Sequence, residues 1–460
     1  MKIKSFLSVL MALMLMIGCI SGCGNNETDS IGSSSEEKEI NENAEVFTIA
    51  KTAYYSDEDS WNGDDEYGEA IRGAIAEIES ECNIKIEIDY YSPTEFVNVA
   101  QSAITNGDTE FADIMIHPLF TFGPIYAQGL LYDLRGIEGL NIESEYWNDA
   151  IKDVSSFKNG IYGIGSSGIN EYRGGVSVLY NRDMVKSLGL EDPVEIVRRG
   201  EWTWDKLREY SLKAAKDLNN DGQFTDADRY GCTSDAYDGF CPVWLTAGVP
   251  TIVKDKDGNL TYNMLSDEAV TVLQKFYSVF TIKDGMFFTA NMSGLVQQQQ
   301  FLSGKTLFLL GGISKENKDS EGDFEIAVLP LPKYTVDSEY VTPVFHNTSI
   351  ISVPANTERE ELIGKVLTLL GEKTKDFGKY NIEDASVNYV DRDQFIEMSE
   401  KYGKNISVDP FNLMLNVNES ISIGTMRAIG GAAFGSTYST NTESQAKKIQ
   451  SLLDEMFNQD

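Results

Sequence analysis

The sequence predicts an α/β fold with two lobes, and three observations favour it. The chain has 460 residues, more than one hydrophobic core usually supports. Hydrophobic residues make up 42% and aromatic residues 11%, so most of the chain has the composition of a folded protein. From residue 45 onward, strand-like and helix-like segments alternate, which is typical of parallel sheets covered by helices.

The amino terminus predicts export. Two lysines precede an apolar stretch over residues 6–17, and small residues follow it, as in a signal peptide. The run Ile20-Ser21-Gly22-Cys23 resembles the bacterial lipobox, in which the cysteine receives a diacylglycerol and becomes the first mature residue. A competing frame ends at Cys19, but it has Met where the lipobox usually has Leu, Val or Ile. We therefore predict a lipoprotein signal peptide over residues 1–22 and lipidation of Cys23.

A disordered tether is expected over residues 23–45, because this stretch is rich in Ser, Glu and Asn and contains no aromatic residue. The whole chain has 72 Asp and Glu against 38 Lys and Arg, a formal net charge of −34. This charge opposes binding to nucleic acid and to anionic lipid. Contact with the membrane is therefore expected through the lipid anchor only.

The first lobe is predicted to open in the order β-loop-α-β-α-β. Hydrophobic periodicity places these elements at Val46–Ala50, Tyr67–Ile78, Ile84–Tyr90, Phe96–Ile104 and Ala112–Ile116. Ligands of such sheets bind beyond the carboxyl ends of the strands. The loops over residues 54–61 and 117–122 lie at such ends.

Later elements predict a second sheet. A strand pair is expected within Ile161–Tyr180, and a helix begins at Trp204, with Asp205 in its first turn, where a negative charge suits the helix dipole. Further strands are expected within Phe324–Leu331 and Ile350–Val353. Because these strands are far along the chain from the first sheet, we expect the chain to cross between the lobes several times.

Several segments, taken in order, resemble the motifs of one family: Gly107–Ile114, Phe122–Leu131, Ile161–Ile164, Val178–Asp183, Glu201–Leu207, Phe301–Phe308 and Leu329–Pro332. They are similar to the carbohydrate-binding extracellular solute-binding proteins (family 1) of bacterial ABC transporters, the maltose-binding-protein-like group. The resemblance implies a periplasmic-binding-protein-like fold with a ligand cleft between the lobes. Lobe one would comprise residues 45–174 and 350–386, and lobe two residues 178–346 and 390–460. A hinge closes such lobes around a sugar, and the permease subunits read the closed form.

Recognition of a sugar needs aromatic platforms for its apolar faces and polar groups for its hydroxyl rim. Seven residues with aromatic or imidazole rings are candidates for the platforms: Tyr54, Tyr55, Trp61, His117, Phe120, Tyr172 and Tyr237. Glu171 and Arg173 are candidates for the rim, and Gly312 and Ser314 for close approach of the backbone to the ligand.

An EF-hand-like loop spans Asp217–Asp228. Oxygen ligands fall at loop positions 1, 3, 5, 7, 9 and 12, with Gly222 at position 6 for the sharp turn. The predicted ligands of a structural Ca²⁺ are Asp217, Asn219, Asp221, Gln223, Thr225 and Asp228, with Gln223 acting through its backbone carbonyl. Position 12 holds Asp instead of the usual Glu. The alternative is an acidic turn held by Asx hydrogen bonds alone.

Enzymatic activity is not predicted. The sequence contains neither G-x-S-x-G nor H-E-x-x-H, and its two histidines cannot build a multi-histidine zinc centre. A pair of glycosidase carboxylates leaves no sequence signature, so a surface-anchored polysaccharide-cleaving enzyme is the alternative. Cys232 and Cys241 either pair or remain packed thiols, and Cys82 is expected to be packed. The prediction is a monomeric, lipid-anchored receptor on the extracellular face of the cell membrane, which delivers a carbohydrate to the permease subunits of an ABC transporter.

Overall fold

The structure is a computed structural model, and it describes residues 44–53, 60–166, 168–169, 177–234, 239, 241–280, 283–288, 295–311, 323–344, 346–386, 388–414 and 440–458. The predicted signal peptide, Cys23 and residues 23–43 of the predicted tether lie outside the described residues.

The strands follow in chain order: β1 (Glu45–Thr52), β2 (Ile84–Tyr91), β3 (Ile114–Pro118), β4 (Ser156–Phe157), β5 (Gly160–Ile161), β6 (Ser177–Asn181), β7 (Tyr230–Thr233), β8 (Ile252–Lys254), β9 (Leu260–Tyr262), β10 (Phe287–Phe288), β11 (Thr306–Leu310), β12 (Ile326–Pro330), β13 (Thr342–Pro343), β14 (Ser349–Ser352) and β15 (Ile406–Ser407). The α-helices are α1 (Glu66–Cys82), α2 (Pro93–Thr105), α3 (Leu119–Tyr126), α4 (Asp149–Val154), α5 (Arg182–Ser187), α6 (Pro193–Arg198), α7 (Trp204–Ala214), α8 (Cys241–Leu245), α9 (Asp267–Val279), α10 (Leu295–Leu302), α11 (Glu360–Thr374), α12 (Gly378–Ser386), α13 (Arg392–Tyr402), α14 (Phe411–Met414) and α15 (Thr440–Met456).

The first sheet has the strand order β14-β3-β1-β2. Strand β1 pairs in parallel with both β2 and β3, so that Ile49 lies level with Ile88 and Ile114. The predicted parallel sheet is therefore confirmed. Strand β14 joins it antiparallel to β3, with Ile351 opposite Ile116.

Helices cover this sheet on both faces, as the alternation of its side chains requires. Ile49 and Ile114 pack with residues of α1 and α11. Their neighbours Ala50 and Met115 pack on the opposite face with residues of α2 and α3. Strand β3 is consequently buried on both faces, which explains why it is apolar almost throughout, whereas Lys85, Glu87 and Asp89 of the edge strand β2 are exposed.

The second sheet has the order β10-β7-β11-β6-β12. Strands β7, β10 and β11 run parallel, whereas β6 runs antiparallel to both of its neighbours, β11 and β12. Leu179, Leu309 and Val328 pack on one face with residues of α10 and α13, and Phe308 packs on the other with residues of α7. The two sheets draw their strands from the ranges predicted for the two lobes, and the lobe boundaries themselves stay predictions.

A single arginine ties four segments of the second lobe together. Arg182 follows β6, and its guanidinium lies 2.9 Å from Asp192, 2.5 Å from Glu325 and 3.0 Å from Asp391. Asp192 and Asp391 are also the N-caps of α6 and α13. Tyr180 donates a further hydrogen bond to Asp192 at 2.6 Å. The arginine therefore fixes two helix starts and the entry to β12 against the end of β6.

The cysteines beyond residue 43 are free thiols. Cys232 is completely buried in β7, and burial raises the pKa of its thiol. Cys82 lies at the end of α1 and is partly buried. The sequence left open whether Cys232 and Cys241 form a disulfide, and in the structure they do not.

Candidate functional site

Predicted site residues of the first lobe follow one edge of its sheet. Thr52 lies level with Tyr91, and Lys51 with Ile116, so β1, β2 and β3 end together. His117 is the penultimate residue of β3, and Phe120 and Trp61 come after these strand ends in the chain. Tyr54 and Tyr55 come directly after β1 in sequence, but they lie outside the described residues.

The second sheet has a corresponding edge. Strands β7 and β11 run parallel and end together, with Thr233 level with Leu309. Strand β6 begins at the same edge, where Gly311 donates a backbone hydrogen bond to Ser177 at 3.0 Å. The remaining predicted positions precede β6 or follow β7 and β11 in the chain, and all of them lie outside the described residues: Glu171, Tyr172, Arg173, Tyr237, Gly312 and Ser314.

Trp61 is a buried residue at this first edge. It lies in the short 3₁₀ helix Ser60–Asn62 and is 1% exposed. The ammonium group of Lys51 lies 5.0 Å from the centroid of its ring, a cation–π contact that keeps the buried lysine beside the end of β1. The packing role of Trp61 is visible in the structure, and its contact with a sugar stays a prediction.

His117 is fully buried within the first lobe. The strand β3 runs to Pro118, so His117 alternates with Ile116 and lies on the α2 and α3 side of the sheet. Its ring stacks on Phe96 with the centroids 5.3 Å apart. A role in binding also stays a prediction for this residue.

The hydrogen bonds of His117 define its protonation. Nδ1 lies 2.7 Å from the hydroxyl of Thr121, and Nε2 lies 2.7 Å from the hydroxyl of Ser352. Thr121 donates its only hydroxyl proton to the carbonyl of Pro118 at 2.8 Å, so it accepts from Nδ1–H of His117. Nε2 then accepts from Ser352. Burial lowers the pKa of His117 to about 3, so the imidazole is neutral at physiological pH.

Phe120 connects the first edge with the segment that crosses from β13 to β14. Its backbone N–H donates to the carbonyl of His346 at 3.2 Å, and the two rings lie 5.8 Å apart. His346 in turn lines a small cavity of about 20 Å³, together with Asp409, Phe411 and Asn412. Burial lowers the pKa of His346 to about 4, so this imidazole is neutral as well.

Asp409 and Asn412 hold this junction together. The carboxylate of Asp409 is 3% exposed and accepts from the backbone N–H groups of Thr251 at 2.8 Å and Phe411 at 3.0 Å. Asn412 donates to the carbonyl of Val344 at 2.9 Å. Burial raises the pKa of Asp409. The junction thereby joins the start of β8, the crossing segment and α14.

Sequence reasoning missed His346, Asp409 and Asn412. Their partners are far away in the chain, 158 residues in the case of Asp409 and Thr251. No spacing or motif marks such contacts. The one available signal was the Asp–Pro pair before an apolar run, which is typical of a turn and indicates nothing about a partner.

The predicted calcium loop is held by hydrogen bonds of its own side chains. Asp217 accepts from the N–H groups of Asn220 and Gly222 at 2.6 and 2.8 Å, and Asp221 accepts from that of Gln223 at 2.8 Å. Asn220 and Gly222 have positive φ angles, 59° and 80°, which this sharp turn requires.

The last residue of the loop is buried. Asp228 accepts from the N–H groups of Leu218 and Thr225, each at 2.8 Å, and these bonds lower the pKa of its carboxyl. In the part of the chain that the structure describes, no three His, Cys, Asp or Glu side chains are grouped so that they hold a metal ion. The residues have the spacing for Ca²⁺, but their carboxylate oxygens accept hydrogen bonds from backbone N–H groups of the same loop. The calcium site therefore stays a prediction.

Comparisons with known proteins bear on the fold and the family. The sequence profile of the bacterial extracellular solute-binding proteins matches residues 62–375. We found no significant match among curated protein sequences. Among the described residues, no helix is long and apolar enough to cross a membrane.

Solved structures resemble the chain over nearly its whole length. A substrate-binding protein of an ABC transporter from Listeria monocytogenes, in complex with cycloalternan, is 16% identical with a TM-score of 0.56 and covers 91% of this chain and 100% of its own. UspC of M. tuberculosis is 15% identical, with a TM-score of 0.60 and coverage of 88% and 100%.

A third structure, the maltose/maltodextrin-binding domain MalE of Bdellovibrio bacteriovorus bound to maltotriose, is 16% identical, with a TM-score of 0.53 and coverage of 90% and 100%. These likenesses show the two-lobe periplasmic-binding-protein-like fold that the sequence predicts. The profile match spans well over half of the chain, so the predicted family is confirmed: the chain belongs to the bacterial extracellular solute-binding proteins.

Proposed function

We propose that this protein captures an oligosaccharide outside the cell and delivers it to the permease of an ABC transporter, without cleaving it. Membership of the solute-binding family carries this proposal. The resembling structures include proteins in complex with cycloalternan and with maltotriose, which supports a glycan as the class of ligand. Aromatic and polar candidate residues adjoin, in the chain, strand ends that share an edge in each sheet, where a ligand of an α/β fold binds.

A glycan panel tests the proposal. Purified protein is incubated with linear and cyclic oligosaccharides, maltotriose among them, and its melting temperature is measured. A ligand that binds only the folded state stabilises it by about 2.7 kcal/mol at a hundredfold excess over Kd, so one or more glycans should raise the melting temperature by several degrees.

The same samples are then analysed by chromatography for cleavage products. Intact glycans together with a melting shift support a binding protein. Hydrolysis of a glycan would favour the alternative of a surface-anchored polysaccharide-cleaving enzyme. No shift with any linear or cyclic glycan of the panel would contradict carbohydrate as the ligand class.

The proposal includes a lipid anchor at Cys23. With two acyl chains the protein stays at the membrane, whereas one chain binds only marginally. We expect Cys23→Ala to appear in the medium or to remain unprocessed, and Cys19→Ala to fractionate with membranes as the unaltered protein does. Immunoblots of cell and medium fractions measure this, and the opposite pattern would assign the anchor to Cys19.

The calcium loop is proposed to bind Ca²⁺ when the ion is supplied. Asp217, Asp221 and Asp228 bring three carboxylates into one loop, and a divalent cation relieves their repulsion. We expect millimolar Ca²⁺ to raise the melting temperature relative to chelator, and Asp221→Ala to remove that rise. Asp257→Ala, in a different exposed acidic turn, should retain it. Equal melting temperatures in Ca²⁺ and chelator would mean that Asx hydrogen bonds alone hold the loop.

A further inference from the structure

Two hairpins from different lobes meet away from the strand ends. The hairpin β4–β5 belongs to the range predicted for lobe one, and β8–β9 to the range predicted for lobe two. We call their contact the clasp and define it by Tyr126, Phe157, Lys254, Gly258 and Phe457. It connects the lobes through side chains and backbone, separately from the crossing segment between β13 and β14.

Lys254 supplies the polar part of the clasp. Its side chain is 12% exposed, and its ammonium group donates to the backbone carbonyls of Asp153 and, at 3.1 Å, Ser156. The same group lies 5.7 Å from the centroid of the Phe157 ring. Separating the hairpins exchanges these hydrogen bonds for hydrogen bonds to water, and hydrogen bonds to a charged group make a net favourable contribution, so separation has a cost in free energy.

At Gly258 the two backbones come into direct contact. This residue has a φ of +86°, and a Cβ built on it would lie 2.7 Å from the backbone nitrogen of Lys158 and 3.1 Å from the Cα of Phe157. Only glycine permits this approach. The tip of β8–β9 is therefore seated closely on β4–β5.

The carboxyl-terminal residues complete the clasp. The ring of Phe457, which is 2% exposed, lies 5.9 Å from that of Tyr126 and 5.7 Å from that of Phe157. Tyr126 and Phe157 stack with their centroids 4.4 Å apart. Asn458 accepts from the N–H of Leu260 at 2.7 Å and donates to its carbonyl at 2.9 Å, which fixes this terminal segment to β9.

The clasp lies toward the amino ends of the strands. Ile164 bridges Ile351, which is level with Ile116 near the end of β3. Ile351 lies in β14, which runs antiparallel both to the segment around Ile164 and to β3. The segment around Ile164 therefore runs in the same direction as β3. Gly160 comes four residues earlier, on the order of 10 Å farther from the ligand edge at the rise of an extended chain. The crossing segment enters at Ser349, opposite Pro118, on the ligand-edge side of the clasp.

We propose that the clasp opposes closure of the lobes and so sets the affinity for ligand. A hinge motion that brings the strand-end edges together around a sugar separates surfaces on the far side of the crossing segment. Closure therefore has to break the contacts of Lys254 and Phe457. The free energy that these contacts contribute to the open form reduces the net free energy of ligand binding. This inference rests on the proposed function, because it assigns a role to the clasp in that same binding event.

The test uses Lys254→Met and Phe457→Ala, with Lys256→Met as the matched control. Lys256 lies in the same hairpin and is exposed, so its substitution makes the same chemical change outside the clasp. Small-angle scattering of ligand-free protein measures the radius of gyration. Titration calorimetry measures the Kd of the glycan that stabilises the unaltered protein most in the panel above. We expect both clasp variants to be more compact without ligand and to bind about fivefold tighter or more, and the control to match the unaltered protein.

The outcomes separate the two proposals. If no glycan binds the unaltered protein, the proposed function fails, and the scattering of the ligand-free variants still decides whether the clasp holds the lobes apart. If folded Lys254→Met has the same radius of gyration and the same Kd as the unaltered protein, the clasp does not oppose closure and the inference is overturned. Weaker binding by Lys254→Met would also overturn the inference, because it would mean that the clasp assists closure. Since Lys254→Met keeps the apolar stem of the side chain, it separates this effect from any loss of folding in Phe457→Ala.

Discussion

Replacing His117 with Ala is expected to lower the free energy of unfolding by about 3–5 kcal/mol. The substitution removes a ring that is stacked on Phe96 and completely buried. It also leaves the hydroxyl of Ser352 without the acceptor that Nε2 provides at 2.7 Å. Urea denaturation at pH 7 measures the loss. A loss below about 1 kcal/mol, with weaker glycan binding, would instead support the predicted role of His117 in the ligand site.

His117→Phe separates packing from protonation. In the folded protein the pKa of His117 is about 3, below the value of about 6.5 in an unfolded chain. The folded state therefore binds fewer protons between these values, and the unaltered protein loses stability as the pH falls, by at most about 1.4 kcal/mol per pH unit from this group. The Phe variant lacks this contribution. Its stability deficit at pH 7 should thus shrink toward pH 4, and a deficit that stays constant with pH would contradict a buried neutral imidazole.

The second large effect is expected for Arg182→Met, with a loss of about 3 kcal/mol at pH 7. This value is at the low end for breaking a buried ion pair, because the side chains of Asp192, Glu325 and Asp391 are 21–39% exposed. Methionine keeps the apolar part of the side chain and removes the charge that three carboxylates share. The exposed Lys186 also contacts Glu325, so Lys186→Met is the matched control, with an expected loss below about 1 kcal/mol.

Lowering the pH should change the free energy of unfolding differently in the unaltered protein and in Arg182→Met. The Arg182 guanidinium lowers the pKa of Asp391 and, against the opposing effect of burial, also that of Glu325. Their stabilising contribution is therefore complete above the unfolded values near pH 4 and is lost as the pH falls through the folded pKa values. In Arg182→Met, protonation relieves the repulsion among the carboxylates instead. The difference between the two proteins, measured by urea denaturation, should be smaller at pH 3.5 than at pH 7. An equal difference at both would mean that Arg182 acts by packing alone.

Local patterns in the sequence predict the elements of the first sheet well. The period of two over Ile84–Tyr90 and the three- and four-residue spacing from Tyr67 to Ile78 each correspond to an observed element, β2 and α1. These patterns are strong because one face of each element is buried. The antiparallel addition of β14 had no such signal, since a short apolar run is compatible with either strand direction.

The candidate site shows where this reasoning stops. The predicted third strand ended at Ile116, and on that basis His117 was expected in a loop, whereas β3 continues to Pro118 and the alternation of the strand buries His117. For Trp61 the rule of strand ends gives the position of the backbone but not the direction of the side chain, which lies over the buried Lys51. The junction of Asp409 with Thr251 depends on tertiary packing that no local pattern encodes.

The late arrival of β14 affects how the protein is made. The first sheet receives this strand, and Ser352 its hydrogen bond with His117, from a segment 235 residues farther along the chain. Synthesis delivers the amino-terminal half first, so β3 has an open edge until residue 349 follows, and long-range pairing of this kind is slow. A nascent chain therefore cannot finish its first lobe early. For a protein with a predicted export signal this is useful, because a chain that folds late remains unfolded long enough to pass through the membrane before strand pairing in its sheets is complete.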